Sequence, residues 1–151
     1  MSEEEAERVF FEIVKNEIEP NLGRGETNSF ELDAVGEKLF GPEWGGVHAS
    51  DRIRRPSEEK TEYSIGNVDT SNMPGSHWLA FYKERGKPTL IYDSFGRESG
   101  VLIPQVVKVL EKWIDADPDA EQFNFESRCG QLCLGFLLFA KRFGYDNAKL
   151  I

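Results

Sequence analysis

The apolar stretch Cys129–Phe143 is the feature that most constrains the fold. Its apolar side chains recur at helical spacing, which predicts a helix with a broad buried face. Lys141 and Arg142 suit the negative end of the helix dipole, and Gly144 follows as a cap. We expect this helix to lie at the centre of a domain, with the rest of the chain packed around it. The apolar face consists of Leu132, Cys133, Phe136, Leu137 and Ala140.

The rest of the sequence predicts both helices and strands in a single α+β domain spanning residues 1–151. Ser2-Glu-Glu-Glu5 has the form of a capping box that begins a first helix, which Pro20 and the polar segment after it end. Residues 41–60 are rich in Gly, Pro and charge, and indicate a long irregular connection. The patterns predict strands at Tyr63–Val68, Ser76–Lys83, Thr89–Asp93 and Gln122–Phe125, and further helices at Glu31–Phe40 and Val101–Ile114.

Charge and composition exclude several classes of protein. The formal net charge is −9, and 39% of the residues are apolar. An acidic surface repels phosphate backbones and anionic headgroups, so we expect neither nucleic acid nor a membrane as a partner. No apolar run reaches the roughly 18 residues of a membrane span, and the acidic segment Met1–Glu5 is unlike a secretory signal. The sequence therefore predicts a globular protein inside a cell or particle.

The two cysteines, Cys129 and Cys133, lie four residues apart in the helical pattern. They do not form the disulfide framework of a small secreted domain, which uses many more cysteines. They also lack a second ligand pair for zinc, since the chain has only His48 and His77. We therefore expect no metal and no cofactor. Cys133, one turn into the helix, is interpreted as a small core residue, and His48 as a loop histidine.

A predicted hairpin brings a histidine close to a carboxylate. If the loop is the three residues 84–86, Lys83 pairs with Lys87 and His77 lies directly opposite Asp93. Directly opposed side chains lie about 4.5–5.5 Å apart at Cβ, so the two would share a hydrogen bond. Such a carboxylate fixes the imidazole tautomer and stabilises the imidazolium. The pair can equally consist of ordinary hairpin residues, and that alternative stays open at this point.

Cys129 has the position expected of a nucleophile, at the mouth of the apolar helix. Free N–H groups and the helix dipole stabilise a thiolate there, and an adjacent imidazole would act as its base. Gly130 leaves room for a substrate backbone to approach the sulfur. Gln122 lies seven residues earlier, where a side-chain amide could join the backbone N–H of Cys129 in binding an oxyanion. The alternative is that Cys129 is a small core residue.

These residues together resemble the adenovirus-type cysteine proteases. The block Asn67–Phe81, which contains His77-Trp78, is similar to the segment that carries the family's catalytic histidine. Tyr92-Asp-Ser-Phe-Gly96 resembles the family's acidic residue followed by a small residue, an aromatic residue and glycine. Gln122 and Cys129-Gly130 match the Gln and Cys-Gly pair in order and separation. The likeness is closest to the versions encoded by virophages and by Polinton or adintovirus-like elements, and it is strong over residues 62–140.

The resemblance implies a role for each matched residue. His77 would be the general base, Asp93 would orient it, Gln122 would help to form the oxyanion hole, and Cys129 would attack the substrate. Trp78 would pack beside the substrate. The implied fold is papain-related: a central helix that bears the cysteine at its N-terminus, packed on a mostly antiparallel sheet with flanking helices.

The resemblance further implies a thiol hydrolase of virion maturation. It would be a cysteine endopeptidase that cleaves viral structural precursor proteins after small residues, especially Gly, in the virion or the host cell interior. The adenovirus enzyme is stimulated by DNA and by a peptide joined through a disulfide. No cysteine precedes Cys129 here, so we expect no disulfide-linked peptide activator.

Three other functions remain compatible with the sequence. A deubiquitinase or another isopeptidase for ubiquitin-like proteins shares the order His, Asp, Gln, Cys. A non-catalytic binding module could have kept the same fold, and an acyltransferase could use the same triad.

Overall fold

The apolar helix predicted from the sequence is the central element of the fold. It runs over Cys129–Phe143, and every residue from Cys129 to Ala140 is buried. Gly144 ends the helix as predicted, with a φ of 88° that a residue with a side chain rarely adopts. The structure is a computed structural model that describes residues 1–72, 77–116, 120–121 and 127–151.

A five-stranded mixed sheet lies against this helix. Its strands follow chain order across the sheet and are β1 (Trp44–His48), β2 (Glu62–Asn67), β3 (Trp78–Lys83), β4 (Thr89–Tyr92) and β5 (Trp113–Asp115). The three central strands are antiparallel neighbours, whereas β1 runs parallel to β2 and β5 runs parallel to β4. The expected α+β class is confirmed. The expectation of a mostly antiparallel sheet holds for the centre and is wrong at both edges.

Helices cover both faces of the sheet. They are α1 (Glu3–Ile13), α2 (Glu19–Leu22), α3 (Ser29–Phe40), α4 (Ser99–Leu102), α5 (Gln105–Val109), α6 (Cys129–Phe143) and α7 (Tyr145–Ala148). A π-helical turn, Val14–Ile18, joins α1 to α2. Within the described residues, no helix has both the length and the apolar character needed to cross a bilayer.

The alternation of side chains along β3 divides the core into two parts. Trp78, Ala80 and Tyr82 belong to the larger core, which includes the apolar residues of α1 and α6. Leu79 and Phe81 belong to a smaller core on the opposite face. The sheet is therefore buried on both sides, which explains why every residue of β3 is buried. The remaining buried members of the smaller core are Ile91, Ile103, Val106 and Leu110.

The first helical segment starts as predicted but extends further. The Ser2 hydroxyl caps α1 by accepting a hydrogen bond from the Glu5 N–H at 3.1 Å. The helical path passes through Pro20 and ends at Leu22, inside the polar stretch that was predicted to end it together with Pro20. Pro20 lies in the first turn of α2, after the π-helical turn, where a missing N–H costs little.

Two short strands at the edges of the sheet were predicted as other structures. The irregular connection predicted at residues 41–60 contains β1, whose two glycines hide the strand pattern. The helix predicted over Val101–Ile114 is wrong in its second half, because the chain reverses near Glu111, at a φ of 58°, and forms β5. Pro104 separates α4 from α5 within the first half. The predicted strand Gln122–Phe125 lies outside the described residues.

The β3–β4 hairpin has a different register from the predicted one. Ala80 pairs with Tyr92, which shifts the ladder by two residues and places Asp93 across from Leu79. The loop extends to Pro88, which has no N–H to donate to the ladder. The prediction that His77 lies directly opposite Asp93 is therefore wrong. A shift of two residues preserves the face of each side chain, so the two remain diagonal neighbours at adjacent strand ends.

Candidate active site

Cys129 is the first residue of α6, where the backbone N–H groups of the opening turn have no intrahelical partner. Arg128 is the N-cap residue, and its side chain makes no capping hydrogen bond to these groups. Free N–H groups and the positive end of the helix dipole stabilise negative charge on a sulfur, or on an oxygen beside it. The structure thus places Cys129 at the helix mouth, as predicted.

His77 lies between Cys129 and Asp93. Its Nε2 is 2.5 Å from Asp93 Oδ1, and the ring also shares a hydrogen bond with the side chain of Cys129. Because Asp93 occupies Nε2, Nδ1 is the ring nitrogen left to face the thiol. Three of the predicted residues therefore form one hydrogen-bonded chain from carboxylate to sulfur.

Asp93 begins a tight turn at the end of β4. The Gly96 N–H donates to the Asp93 carbonyl oxygen at 2.9 Å, and Gly96 has a φ of 69°, which turns the chain back towards Asp93. The backbone N–H and the Nε of Arg97 then donate to Asp93 Oδ2 at 2.8 and 3.0 Å. The carboxylate is thus held at both oxygens, one by His77 and the other by Arg97.

The pair of His77 and Asp93 favours its charged form despite burial. Burial alone would lower the pKa of His77, but its hydrogen bonds with Asp93 and Cys129 outweigh burial and raise the pKa above 6.5. Burial alone would raise the pKa of Asp93, but its hydrogen bonds with His77 and Arg97 lower it below 3.8. The site is therefore built to hold an imidazolium beside a carboxylate.

Two aromatic side chains flank the imidazole. The ring of Phe95 lies 5.2 Å from that of His77, measured between centroids. Trp78, the next residue along the chain, lines a depression of about 560 Å³ together with Asn67 and Asp69. The depression borders the Trp78 side of the site, and a contact between Trp78 and substrate stays a prediction.

A segment near the N-terminus crosses the mouth of α6. We call residues 23–28 the strap. The buried amide of Gln131 donates to the carbonyl oxygens of Gly23 and Gly25 at 3.0 and 2.7 Å. The indole of Trp78 donates to the carbonyl oxygen of Thr27 at 3.3 Å. The strap is thereby fixed both to α6, which begins at Cys129, and to β3, which follows His77.

Gly130 is required by the strap. A Cβ at this position would lie 2.2 Å from Thr27 Oγ1 and 2.9 Å from Leu32 Cδ2, far closer than atoms can approach. The missing side chain of Gly130 thus makes room for the protein's own strap. A contact between Gly130 and substrate, as expected from the sequence, would have to involve its backbone and stays a prediction.

The other cysteine is a core residue, as predicted, whereas the prediction that His48 lies in a loop is wrong. Cys133 is fully buried, and its thiol donates to the carbonyl oxygen of Trp78 at 3.4 Å. Burial raises the pKa of Cys133 well above its usual value of 9.0, so this thiol stays protonated. His48 ends β1, and its Nε2 bonds to the carbonyl oxygen of Gly45 at 2.6 Å.

The sequence did not indicate the roles of Arg97, Thr27 and Gln131. A signal for Arg97 exists in the spacing Asp93-Ser-Phe-Gly-Arg97, where a glycine can reverse the chain and a cation follows four residues after the acid. The strap has no comparable signal, because its hydrogen bonds join residues 51 to 108 positions apart. Gln122, the predicted oxyanion donor, lies outside the described residues.

The described residues contain no group of three or more His, Cys, Asp or Glu side chains that could hold a metal ion. Cys129 and Cys133 are both free thiols. No protein-family model and no curated protein matches the sequence.

Proposed function

We propose that this chain is a cysteine endopeptidase with a papain-related fold. The observation that carries the proposal is the hydrogen-bonded series Cys129, His77 and Asp93, at the N-terminus of a buried helix. A nucleophile, a base and a group that orients the base are the components that covalent acyl transfer needs. The adenovirus-type pattern in the sequence, with Gln122 and Cys129 seven residues apart, supports the same conclusion.

The geometry supports a two-step reaction. The Cys129 thiol gives its proton to His77 Nδ1, and the sulfur attacks the carbonyl carbon of the scissile peptide bond. His77 passes the proton to the leaving amine as the C–N bond breaks, which leaves a thioester on Cys129. Water then attacks the thioester, His77 takes its proton, and the acid product leaves as the thiol re-forms.

Negative charge on the carbonyl oxygen needs donors during both steps. The N–H of Cys129, in the unpaired first turn of α6, is one donor in a suitable place. Gln122 is proposed as the second, by resemblance to the adenovirus-type enzymes. Asp93 stays ionised throughout, because its role is to orient and stabilise the imidazolium.

The proposed substrates are viral structural precursor proteins, cleaved after small residues, in the virion or the host cell interior. This class of substrate is inferred from the resemblance to the adenovirus-type proteases. The burial of the site is consistent with it, since Cys129 is 8% exposed and His77 7% exposed. A substrate backbone with Gly near the scissile bond can approach a recessed sulfur more closely than one with larger side chains.

The first test is the rate at which iodoacetamide labels the protein, followed by mass spectrometry at neutral pH. We expect rapid labelling of Cys129 alone, because Cys133 is buried and protonated. His77→Ala should slow the labelling at least about tenfold, since a positioned base contributes about 100- to 10,000-fold to catalysis. His48→Ala, which changes the only other histidine, is the matched control and should leave the rate unchanged.

Slow labelling that does not depend on His77 would contradict the assignment. Peptide substrates then separate the remaining alternatives. Cleavage of Gly-containing precursor peptides, lost in Cys129→Ala, supports the endopeptidase. Activity confined to conjugates of ubiquitin-like proteins would select an isopeptidase instead. Rapid labelling with neither activity would favour a binding module, or an acyltransferase if acyl groups move from coenzyme A.

A further inference from the structure

We propose that Arg97 is a positioning residue, which holds the Asp93 carboxylate ionised and aimed at His77. The inference rests on the proposed function in one respect, since it assumes that the state of His77 governs the reactivity of Cys129. Arg97 lies outside the residues that the adenovirus-type pattern singles out, and only the structure connects it to the site.

The two oxygens of the Asp93 carboxylate have different hydrogen-bond partners. Arg97 donates twice to Oδ2, through its backbone N–H and its Nε, while His77 holds Oδ1. Two donors on one oxygen fix the rotation of the carboxylate about its Cβ–Cγ bond. The other oxygen is then directed at His77 Nε2 without any freedom to turn away.

The turn gives Arg97 this position, and an aromatic ring holds it there. The positive φ of Gly96 directs the backbone N–H of Arg97 towards the carboxylate. The guanidinium carbon lies 4.8 Å from the centroid of the Phe95 ring, within the range of a cation–π interaction. Since Phe95 also packs on His77, the turn links the cation, the ring and the imidazole in one cluster.

The charges around Asp93 show why a cation is needed. Asp93 is 5% exposed, and the depression that it lines also holds Glu98 and Asp115. Cys129 and Cys133 approach from α6, so that side adds either neutral thiols or a negative thiolate. Arg97 is the permanently charged cation that contacts Asp93 within the described part of the chain. Without it, a buried carboxylate among other acids would take up a proton more readily.

The consequence concerns the acidic side of the pH profile. A protonated Asp93 no longer stabilises the imidazolium of His77, and Cys129 then loses the partner of its thiolate. Arg97 lowers the pKa of Asp93 through its hydrogen bonds to Oδ2. We therefore expect Arg97 to extend the working range of the site towards lower pH.

The test compares five proteins by the pH dependence of Cys129 labelling and by proton NMR of His77. In Arg97→Gln, the labelling rate in mild acid should fall about tenfold. This loss is smaller than the roughly 100- to 10,000-fold that a positioned acid–base group contributes, because Arg97 acts only through Asp93. Arg97→Lys, which keeps the charge, should restore most of the rate. Arg85→Gln removes the same charge from the exposed β3–β4 loop and should behave as the wild type. Arg97→Met keeps an apolar side chain packed on Phe95, and it replaces Arg97→Gln in the test if that variant does not fold.

The NMR measurement follows the proton between His77 Nε2 and Asp93 Oδ1. In the wild type its downfield signal should persist into acid, and in Arg97→Gln it should disappear at a higher pH. His48 provides a reference in the same spectrum. This signal does not depend on turnover. If the signal disappears at a higher pH in Arg97→Gln but the wild type cleaves no peptide, the result would support the positioning role of Arg97 and contradict the protease assignment. Profiles of Arg97→Gln and Arg97→Met that coincide with that of Arg85→Gln would overturn the proposal.

Discussion

At the scale of residues, the site depends on one buried pair of opposite charges. His77 and Asp93 are both less than a tenth exposed, and neither would keep its charge alone in such surroundings. Together, with Arg97 behind the carboxylate, each favours the charged form of the other. The pair therefore contributes to folding as well as to the proposed chemistry.

Replacing Asp93 by Asn should make this contribution measurable. The lowered pKa of Asp93 means that its stabilisation is complete above the ordinary Asp value of 3.8 and is lost as the pH falls through the folded pKa. We expect Asp93→Asn to lower the free energy of unfolding at neutral pH by about 2 kcal/mol, the range of hydrogen bonds to charged groups. Urea denaturation of both proteins, at neutral pH and below pH 3.8, measures this difference in the free energy of unfolding.

The sign of the pH dependence decides the outcome. The difference between wild type and Asp93→Asn should shrink in acid, where both side chains are neutral. The control is Asp146→Asn, which removes a carboxylate that is 85% exposed and should show no such trend. A difference that grows in acid would mean that Asp93 is stabilised in its protonated form.

The three central site residues could be predicted from the sequence, and their neighbours could not. Cys129 begins an apolar helix, and His77 and Asp93 flank a hairpin. Local patterns are enough to pair the histidine with the carboxylate, whereas the adenovirus-type pattern was needed to add Cys129 to them. The predicted register was wrong by two residues, but an even shift leaves side chains on the same face. The role of Arg97 was not predicted, because it depends on the path of the chain through Gly96 rather than on any periodic pattern.

At the scale of elements, the strap and α6 form a single unit around Cys129. Gln131 and Trp78 hold the strap by its carbonyl oxygens, and Gly130 lets it lie directly on the helix. The N-terminal part of the chain therefore shapes the surroundings of Cys129 as well as completing the core.

Gly130→Ala should disturb this unit. The added methyl group would meet Thr27 Oγ1 at 2.2 Å and Leu32 Cδ2 at 2.9 Å, so we expect a loss of about 1–3 kcal/mol of stability. Labelling of Cys129 should slow in parallel, as the helix mouth shifts. Thermal denaturation and the iodoacetamide rate measure the two effects.

Gly25→Ala is the matched control for this substitution. It adds the same methyl group to the strap itself, where no atom lies within 4 Å. It should leave both stability and labelling nearly unchanged, and Thr27→Ala should partly relieve Gly130→Ala. If Gly130→Ala proves as stable as Gly25→Ala, the strap does not lie on α6 as described.

Elements with strong periodicity were predicted well, and short edge strands were not. The predicted bounds of α6 match the structure, and α3 begins two residues before its predicted start. β1 contains two glycines, and β5 continues an apolar pattern that also suits a helix. Both pair in parallel with neighbours distant in sequence, and a local pattern carries no signal of that pairing.

At the scale of the whole molecule, acidity limits the choice of partners. The net charge is −9, and the one cluster of arginines, residues 52–55, is neutralised in place. Each arginine has a carboxylate nearby. The distances are 4.0 Å from Arg52 Nε to Asp51 Oδ2, 2.6 Å from Arg54 Nη2 to Glu62 Oε1, and 3.0 Å from Arg55 Nη1 to Glu111 Oε1. No cation of this loop is free of a carboxylate.

Duplex DNA should therefore not activate this chain. We expect DNA at low salt to change the rate of Cys129 labelling by less than about twofold, because binding depends on phosphate neutralisation. The same rate measured with an acidic protein at equal charge concentration controls for ionic effects. Acceleration by DNA that disappears at high salt would show that the arginine loop exchanges its carboxylates for phosphates.

The long reach of the strap contacts has a consequence for the order of events in the cell. The hydrogen bond from Gln131 to Gly23 spans 108 residues, and the contact of Arg128 with Glu19 spans 109. Contacts of such separation close late in folding, because a long loop must first lose its entropy. During synthesis, His77, Asp93 and the strap all leave the ribosome before Cys129 does. If Cys129 acts as proposed, the nascent chain should be inert until α6 docks, and its reactivity should begin only when the fold is complete.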